Sequence, residues 1–173
     1  MSKTALKKEL LKLTREQLLE QVLDLYYKNQ SVKTFYDLYL NPKNERMVLE
    51  KCKKSIRKEF NMDSPKRANL KFSVAKRAVS ELRDLQVSPE SIADAMLYIA
   101  ECACEFTAEW GDMDEPFYTA AWNNFRAALK IIDKHGLLDD FKLRAEQCVK
   151  WASPCGYGFA DDIADVYYEY YND

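Results

Sequence analysis

Residues 89–110 read PESIADAMLYIAECACEFTAEW, and the order of apolar side chains within them decides the fold class. Ile92, Met96, Ile99, Ala103, Phe106 and Trp110 recur at steps of three and four, the period that lays one side of an α-helix against a core. A strand would need strict alternation instead. Ser88 and Pro89 make a helix start, a hydroxyl cap followed by a ring whose missing N–H the first turn does not need, and Gly111-Asp112 ends the run. Asp94, Glu101, Glu105 and Glu109 lie off the apolar stripe, where a solvated acidic face is expected.

Toward the N-terminus the same period continues. A helix over about residues 4–12 carries Leu6, Leu10 and Leu13. Thr14 and Gln17 have capping-box spacing ahead of Leu18, Val22, Leu25 and Tyr26. A shorter helix around residues 32–40 presents Phe35, Leu38 and Tyr39, and it stops at Asn41-Pro42 because proline disfavours helical geometry in the residue before it. The next opens at Asn44 and turns Leu49, Cys52, Ile56 and Phe60 inward. Asp63-Ser64-Pro65 predicts one more start, with Phe72, Ala75, Val79 and Leu82 as its buried stripe.

Toward the C-terminus, Glu115-Pro116 begins a helix whose alanines at 120, 121, 127 and 128 surround Trp122, Phe125, Leu129 and Ile132. Small residues on several sides predict that this helix is central. His135-Gly136 closes it, glycine taking the left-handed cap and Lys134 and His135 sitting at the negative end of the dipole. A further helix covers about residues 138–152 and breaks at Ser153-Pro154. The last spans roughly 160–171, with Ile163, Val166, Tyr167 and Tyr170 inward.

The expectation is an all-α protein of about eight helices in an antiparallel bundle or a short α-solenoid-like array. Its 173 residues suit a single helical domain, and four Gly and five Pro are few enough for long helices. Charge suggests a subdivision of that domain. Residues 1–87 hold 20 Lys and Arg against 11 Asp and Glu, a balance of +9, whereas residues 88–173 hold 6 against 17, a balance of −11. Opposite halves attract one another within a chain or between chains, or offer the basic half to an anionic partner.

The N-terminal MSKTALKKELLK lacks the apolar h-region of a secretory signal, charges interrupt every apolar run before membrane length, and five cysteines have no framework spacing. These features predict reduced thiols, a cytoplasmic location and no membrane contact. No cofactor is implied. Gly156 and Gly158 in the run GYGFADD lack the three-glycine dinucleotide pattern and the Lys-Ser/Thr ending of a P-loop, and Asp161 and Asp162 would repel phosphate. The two aspartates instead suit the positive end of a helix dipole.

Metal and catalytic constellations are equally incomplete. Glu101 and Glu105 lie one turn apart, but a di-metal bundle uses two Glu-x-x-His elements and the chain has one histidine, His135. Cys102 and Cys104 sit about 200° apart on a helix and share no ion readily. A carboxylate-dependent enzyme keeps only the acids Glu101, Glu105, Asp112, Asp161 and Asp162 as candidates. The basic region 51–77 is a better candidate for nucleic-acid contact, through Lys51, Lys53, Lys54, Arg57, Lys58, Lys66, Arg67, Lys71, Lys76 and Arg77. Pairing with the acidic half is the competing reading. At the C-terminus Tyr167, Tyr168, Tyr170 and Tyr171 cannot all face one core, so Tyr157, Phe159, Asp161, Asp162, Tyr168 and Tyr171 form the candidate protein-contact group.

MSKTALKKELLKLTREQLLEQVLDLYY at the start, LNP at 40–42, DAMLYIAECACEF in the middle and GYGFADDIADVYYEYY at the end together resemble a family of small bacterial all-helical proteins known only as a domain of unknown function. The resemblance implies a helical cytoplasmic protein and supplies no catalytic residue. The leading functional expectation is a non-enzymatic interaction or adaptor protein with a protein partner or self-association; nucleic-acid association comes second and carboxylate chemistry third.

Overall fold

Ser88 accepts the N–H of Ser91 in its hydroxyl, Pro89 fills the first helical position, and the helix so begun runs without interruption to Trp110, where Gly111 turns out at φ +94°. The computed structural model describes residues 2–171. Among them are nine α-helices and no strand: α1 (Lys3–Leu10), α2 (Arg15–Lys28), α3 (Gln30–Leu40), α4 (Glu45–Phe60), α5 (Phe72–Asp84), α6 (Pro89–Trp110), α7 (Glu115–Lys134), α8 (Leu138–Ala152) and α9 (Phe159–Tyr170). None is long and apolar enough to cross a membrane.

Internal packing divides the chain into two compact units, Met1–Asn44 and Glu45–Asp173. In the first, the Thr14 capping box forms in full, with Thr14 accepting from the Gln17 N–H at 3.2 Å and donating its own N–H to the Gln17 side chain at 2.9 Å. Helix α3 begins at Gln30, two residues earlier than the apolar pattern predicts. Asn29 both ends α2 and caps α3, its side chain accepting from Ser31 and Val32.

In the second unit α6 is the hub, packed against α4, α5, α7 and α8. The expectation that α7 would be central is corrected: α7 packs on α6, α8 and α9. The reason is residue size, since Ala93, Ala95, Ala100, Cys102, Ala103 and Cys104 are all buried on α6 and admit neighbours on several sides. Its four neighbours lie one or two positions away in the chain, an arrangement shared by an antiparallel bundle and a short array of stacked helix pairs. The change of charge sign at residues 86–88 falls inside this unit, between α5 and α6.

The core is continuous and lies in the second unit, from Leu49 on α4 to Tyr171 after α9. Phe60, Phe72, Phe117 and Phe106 form an aromatic chain through it, with ring centroids 5.4, 5.3 and 6.3 Å apart, the first two contacts edge-to-face and the third tilted. The start of α5 differs from expectation. Pro65–Arg67 makes only a 3-10 turn, Ser64 gives no side-chain cap, Ala68 is extended and Leu70 is left-handed at φ +53°. Leu70 donates its N–H to the Glu59 carbonyl, which ties the segment back to the end of α4 before helix resumes at Phe72.

Candidate functional site

Three helices of the second unit bring opposite charges into one half-buried seam. On α6, Asp94, Glu101 and Glu105 follow one another at steps of seven and four and so share a side of the helix. Arg144 of α8 donates through Nε and Nη2 to the two carboxylate oxygens of Glu101, both at 2.7 Å, and through Nη1 to Asp94 at 2.7 Å. From α4, Lys53 reaches Asp94 at 2.7 Å and Arg57 takes Glu105 in a two-pronged pair. The expected solvated acidic face is therefore corrected: three of its four carboxylates are half-buried and paired across helices, and Glu109 alone stays exposed.

Electrostatics match the geometry. The bond to Glu105 raises the Arg57 pKa, outweighing burial. Burial acts against the charge of Arg144, and Glu101 with Asp94 overcomes it and holds the guanidinium above its ordinary value. Burial pushes Tyr98, beside the seam, up to about 12, and Lys53 lies 5.2 Å from the centre of its ring. With three cations facing three anions the seam is balanced, which is the condition for keeping charges out of water.

Of the predicted nucleic-acid contacts, Lys53 and Arg57 are thus engaged inside the molecule. Lys51, Lys54, Lys58, Lys66, Arg67, Lys71, Lys76 and Arg77 are exposed on α4, the turn after it and α5; Arg77 faces Glu81 one turn on at 3.8 Å. The five carboxylates considered for catalysis are not gathered in one place by the contacts they make. Glu101 and Glu105 are held by arginines, Asp112 by backbone and tyrosine, and Asp161 and Asp162 face solvent at the start of α9. A shallow cavity of about 190 Å³ is lined by Glu45, Arg46, Leu49, Ser88, Glu90, Ser91 and Asp94, none of those five. There Glu45 accepts the Ser88 N–H at 3.0 Å and both serine hydroxyls; burial raises its pKa, and these bonds together bring it below the ordinary value.

The glycine segment ahead of α9 is a latch. Asp112, on the loop after α6, accepts the Gly156 N–H at 2.8 Å and the Tyr118 hydroxyl at 2.7 Å. These two bonds, the Gly156 one first, lower its pKa. The Tyr118 oxygen also accepts the Met113 N–H and lies 2.9 Å from the Thr107 hydroxyl. A Cβ on Gly156 would stand 3.1 Å from the Asp112 carboxylate, and Gly158 takes φ +77° to start the helix. Tyr157 between them is left-handed at φ +56° and 81% exposed. Within the candidate protein-contact group, Phe159 is fully buried and stacked on Tyr118 at 4.4 Å, and Tyr171 is buried with its hydroxyl donating to the Leu138 carbonyl. Both are core. Tyr157, Tyr168, Asp161 and Asp162 remain at the surface.

The feature that the sequence reading missed lies in the first unit. Helices α1 and α2 bury no residue, and α3 buries only Leu38. On α2 the stripe Leu18, Val22 and Tyr26 is half-buried, and the hydroxyl of Tyr26 donates to Asp37 of α3 at 2.8 Å. Beside that stripe Leu19, Leu23 and Tyr27 stand open at steps of four, with Leu25 on its other side and Tyr39 and Leu40 at the end of α3. The signal was present as doubled apolar positions, 18 with 19 and 22 with 23, an arc wider than one neighbouring helix covers.

All five thiols are free; Cys52, Cys102, Cys104 and Cys148 are buried and Cys155 half-buried. Burial raises the pKa of Cys52 and of Cys102 to about 11. Among the described residues no group of three or more His, Cys, Asp or Glu is placed to hold a metal ion.

A model of the Family of unknown function (DUF6155) matches residues 1–153. The chain belongs to this family. The DUF6155 match takes in α1 through α8 and stops before the glycine segment and α9. No curated protein and no solved structure matches the chain.

Proposed function

We propose that this DUF6155 member is a non-enzymatic interaction protein of the cytoplasm that engages a protein through the apolar face of its α2–α3 hairpin. One observation carries the reading: eight large apolar side chains of the first unit are 48–83% exposed, although the second unit buries a complete core of its own. Exposed apolar surface gathered on one small unit marks association, whereas single exposed residues scattered over a surface do not. Exposed Tyr157 and Tyr168 with Asp161 and Asp162 make a second, acidic and aromatic surface suited to the rim of a contact. The free thiols agree with a reducing compartment.

The test is affinity capture with the full chain at moderate salt, run beside a Leu19→Glu, Leu23→Glu double variant. The expected result is a co-purifying protein, or a second copy of the bait, that the variant loses. Recovery of nothing, or of the same proteins with both baits, would sink the reading.

Nucleic-acid association is the second reading, favoured by the eight basic side chains that remain exposed on α4, the following turn and α5. A mobility shift of DNA or RNA at low salt, lost as salt rises, is its expected signature; no shift at low salt removes it.

A further inference from the structure

We infer that the exposed basic surface of α4, the turn after it and α5 takes the phosphate backbone of a double-stranded nucleic acid without regard to base sequence; the inference rests on the nucleic-acid reading above and names the form of the polymer. Three observations carry it.

The first is that these cations are left unneutralised by the rest of the molecule. Lys51, Lys54 and Lys58 follow at steps of three and four on the side of α4 away from Leu49, Cys52 and Ile56. Lys66, Arg67 and Lys71 stand on the turn, and Lys76 and Arg77 on the second turn of α5, which packs against α4. Among the described residues only Arg77 of this set meets a carboxylate, that of Glu81 on its own helix. The acids of α6 are already taken: Asp94 and Glu105 hold Lys53 and Arg57 from the inner side of α4, and Arg144 holds Asp94 and Glu101. Nor does the first unit supply a surplus of acid, since residues 1–44 carry 8 Lys and Arg against 5 Asp and Glu, a balance of +3. Like charges crowded on two adjoining helices repel one another, and a polyanion relieves that repulsion while releasing its own counterions.

The second is the kind of cation. Six of the eight are lysines, point charges without the planar fork that reads base edges in pairs of bonds. Of the two arginines, Arg77 already faces Glu81. The hydroxyls of Ser73 and Ser80 stand exposed on the Arg77 side of α5, and hydroxyls bond phosphate oxygens as readily as lysines do. Such a surface positions a backbone and leaves the sequence unread.

The third is what the surface lacks. Phe60 and Phe72, the aromatic residues between positions 45 and 88, both pack in or against the core, so the surface has no ring on which an unpaired base could stack. A single strand therefore gains charge contacts alone, and a duplex presents those more densely, one negative charge per about 1.7 Å of axis. Between residues 51 and 84 no large apolar side chain is exposed either, whereas a basic helix that enters a lipid surface carries an apolar side to bury there.

Fluorescence anisotropy of labelled DNA and RNA duplexes, and of their separate strands, titrated with the full chain tests the inference. At about 50 mM salt a duplex should bind at least about tenfold more tightly than its strands, and its affinity should fall roughly a thousandfold or more by about 200 mM, the loss that six or more phosphate contacts bring. Duplexes of unrelated sequence should bind alike. Either duplex bound in this way upholds the inference, and the ratio of the two affinities names the source of the phosphates. Lys54→Gln, Lys58→Gln should weaken duplex binding about tenfold and reduce the salt slope by about two. Lys130→Gln, Lys134→Gln removes the same charge from exposed positions of α7 and should leave affinity and slope close to those of the unaltered chain. All four lysines are exposed on helices, so both variants should retain the far-UV circular dichroism of the parent. Equal losses in the two variants overturn the inference, as do a strand bound as tightly as its duplex, a preference for one sequence, or an acidic polypeptide that displaces the duplex at equal charge concentration. The nucleic-acid reading fails separately: absence of binding to every duplex and strand at low salt removes both, whereas strand-selective or sequence-selective binding leaves that reading standing without the duplex backbone.

Discussion

Gly158 holds φ +77° immediately before α9, and a Cβ built there meets nothing within 4 Å. The cost of Gly158→Ala is therefore one of backbone conformation alone, about 1 kcal/mol, and a urea titration should show it as a lower midpoint with an unchanged slope. Glu45 lends itself to a pH test. Its folded pKa lies below the ordinary carboxylate value because the bonds from Ser88 and Ser91 prevail over burial. A depressed acid pKa contributes stability above the unfolded value, about 4.3, and that contribution disappears as pH falls through the folded one. Asp112, lowered by Gly156 and Tyr118, acts in the same direction. Glu45→Gln should accordingly cost about 1 kcal/mol at neutral pH and flatten the decline of the urea midpoint between about pH 5 and pH 3; an acid limb as steep as that of the unaltered chain would show that Glu45 has no part in it. Ser88, Pro89, Thr14 and Gly136 could all be read as helix boundaries from sequence, since each acts on atoms within a few residues of itself. Asp112 could not, because its partner Gly156 is 44 positions away.

Helix by helix, apolar spacing foretells which side is inward and says nothing about what meets it. Ile92, Ile99, Ala103 and Phe106 on α6 and Leu18, Val22 and Tyr26 on α2 show the same rhythm; the first set is buried and the second only half-buried. The acids of α6 show the same limit. Their seven-and-four spacing is visible in the chain, but the cations that neutralise them come from α4 and α8, 41 to 50 residues distant. Arg144 is the cation of the seam that holds two carboxylates. Arg144→Met should cost about 2 to 3 kcal/mol, since it leaves Glu101 and much of Asp94 without a donor in a half-buried place. Arg144→Lys should recover only part of that loss, because an ammonium cannot grip both oxygens of Glu101 in the two-pronged way. Chemical denaturation of the two variants beside the parent gives the comparison, and equal midpoints for Met and Lys would show that the fork geometry contributes nothing. Both α3 and α5 departed from their predicted starts, and for α5 the reason lies outside the helix itself: Leu70 is drawn back to Glu59.

At the scale of the molecule, the opposed charge of the chain's two halves is partly consumed within the second unit, where α4 and α6 lie on either side of the sign change and share two ion pairs. Since the whole core cluster also lies there, a fragment beginning at Asn44 and running to the C-terminus should fold cooperatively and keep a urea midpoint close to that of the intact chain. The complementary peptide, residues 1–44, should show little helix by circular dichroism when dilute. A fragment that melts without cooperativity would mean that the first unit supports the second. The cysteines add a consequence of a different kind. Four are sealed in the core, while Cys155 sits half-open at the junction of α8 and α9, 3.5 Å from the Thr107 hydroxyl. Of the five thiols, that one is the first that an electrophile arriving from solvent meets, and an adduct there would wedge against the residues that Asp112 and Tyr118 hold together. Thiol modification of this molecule therefore begins at the turn between its last two helices and reaches the interior only afterwards.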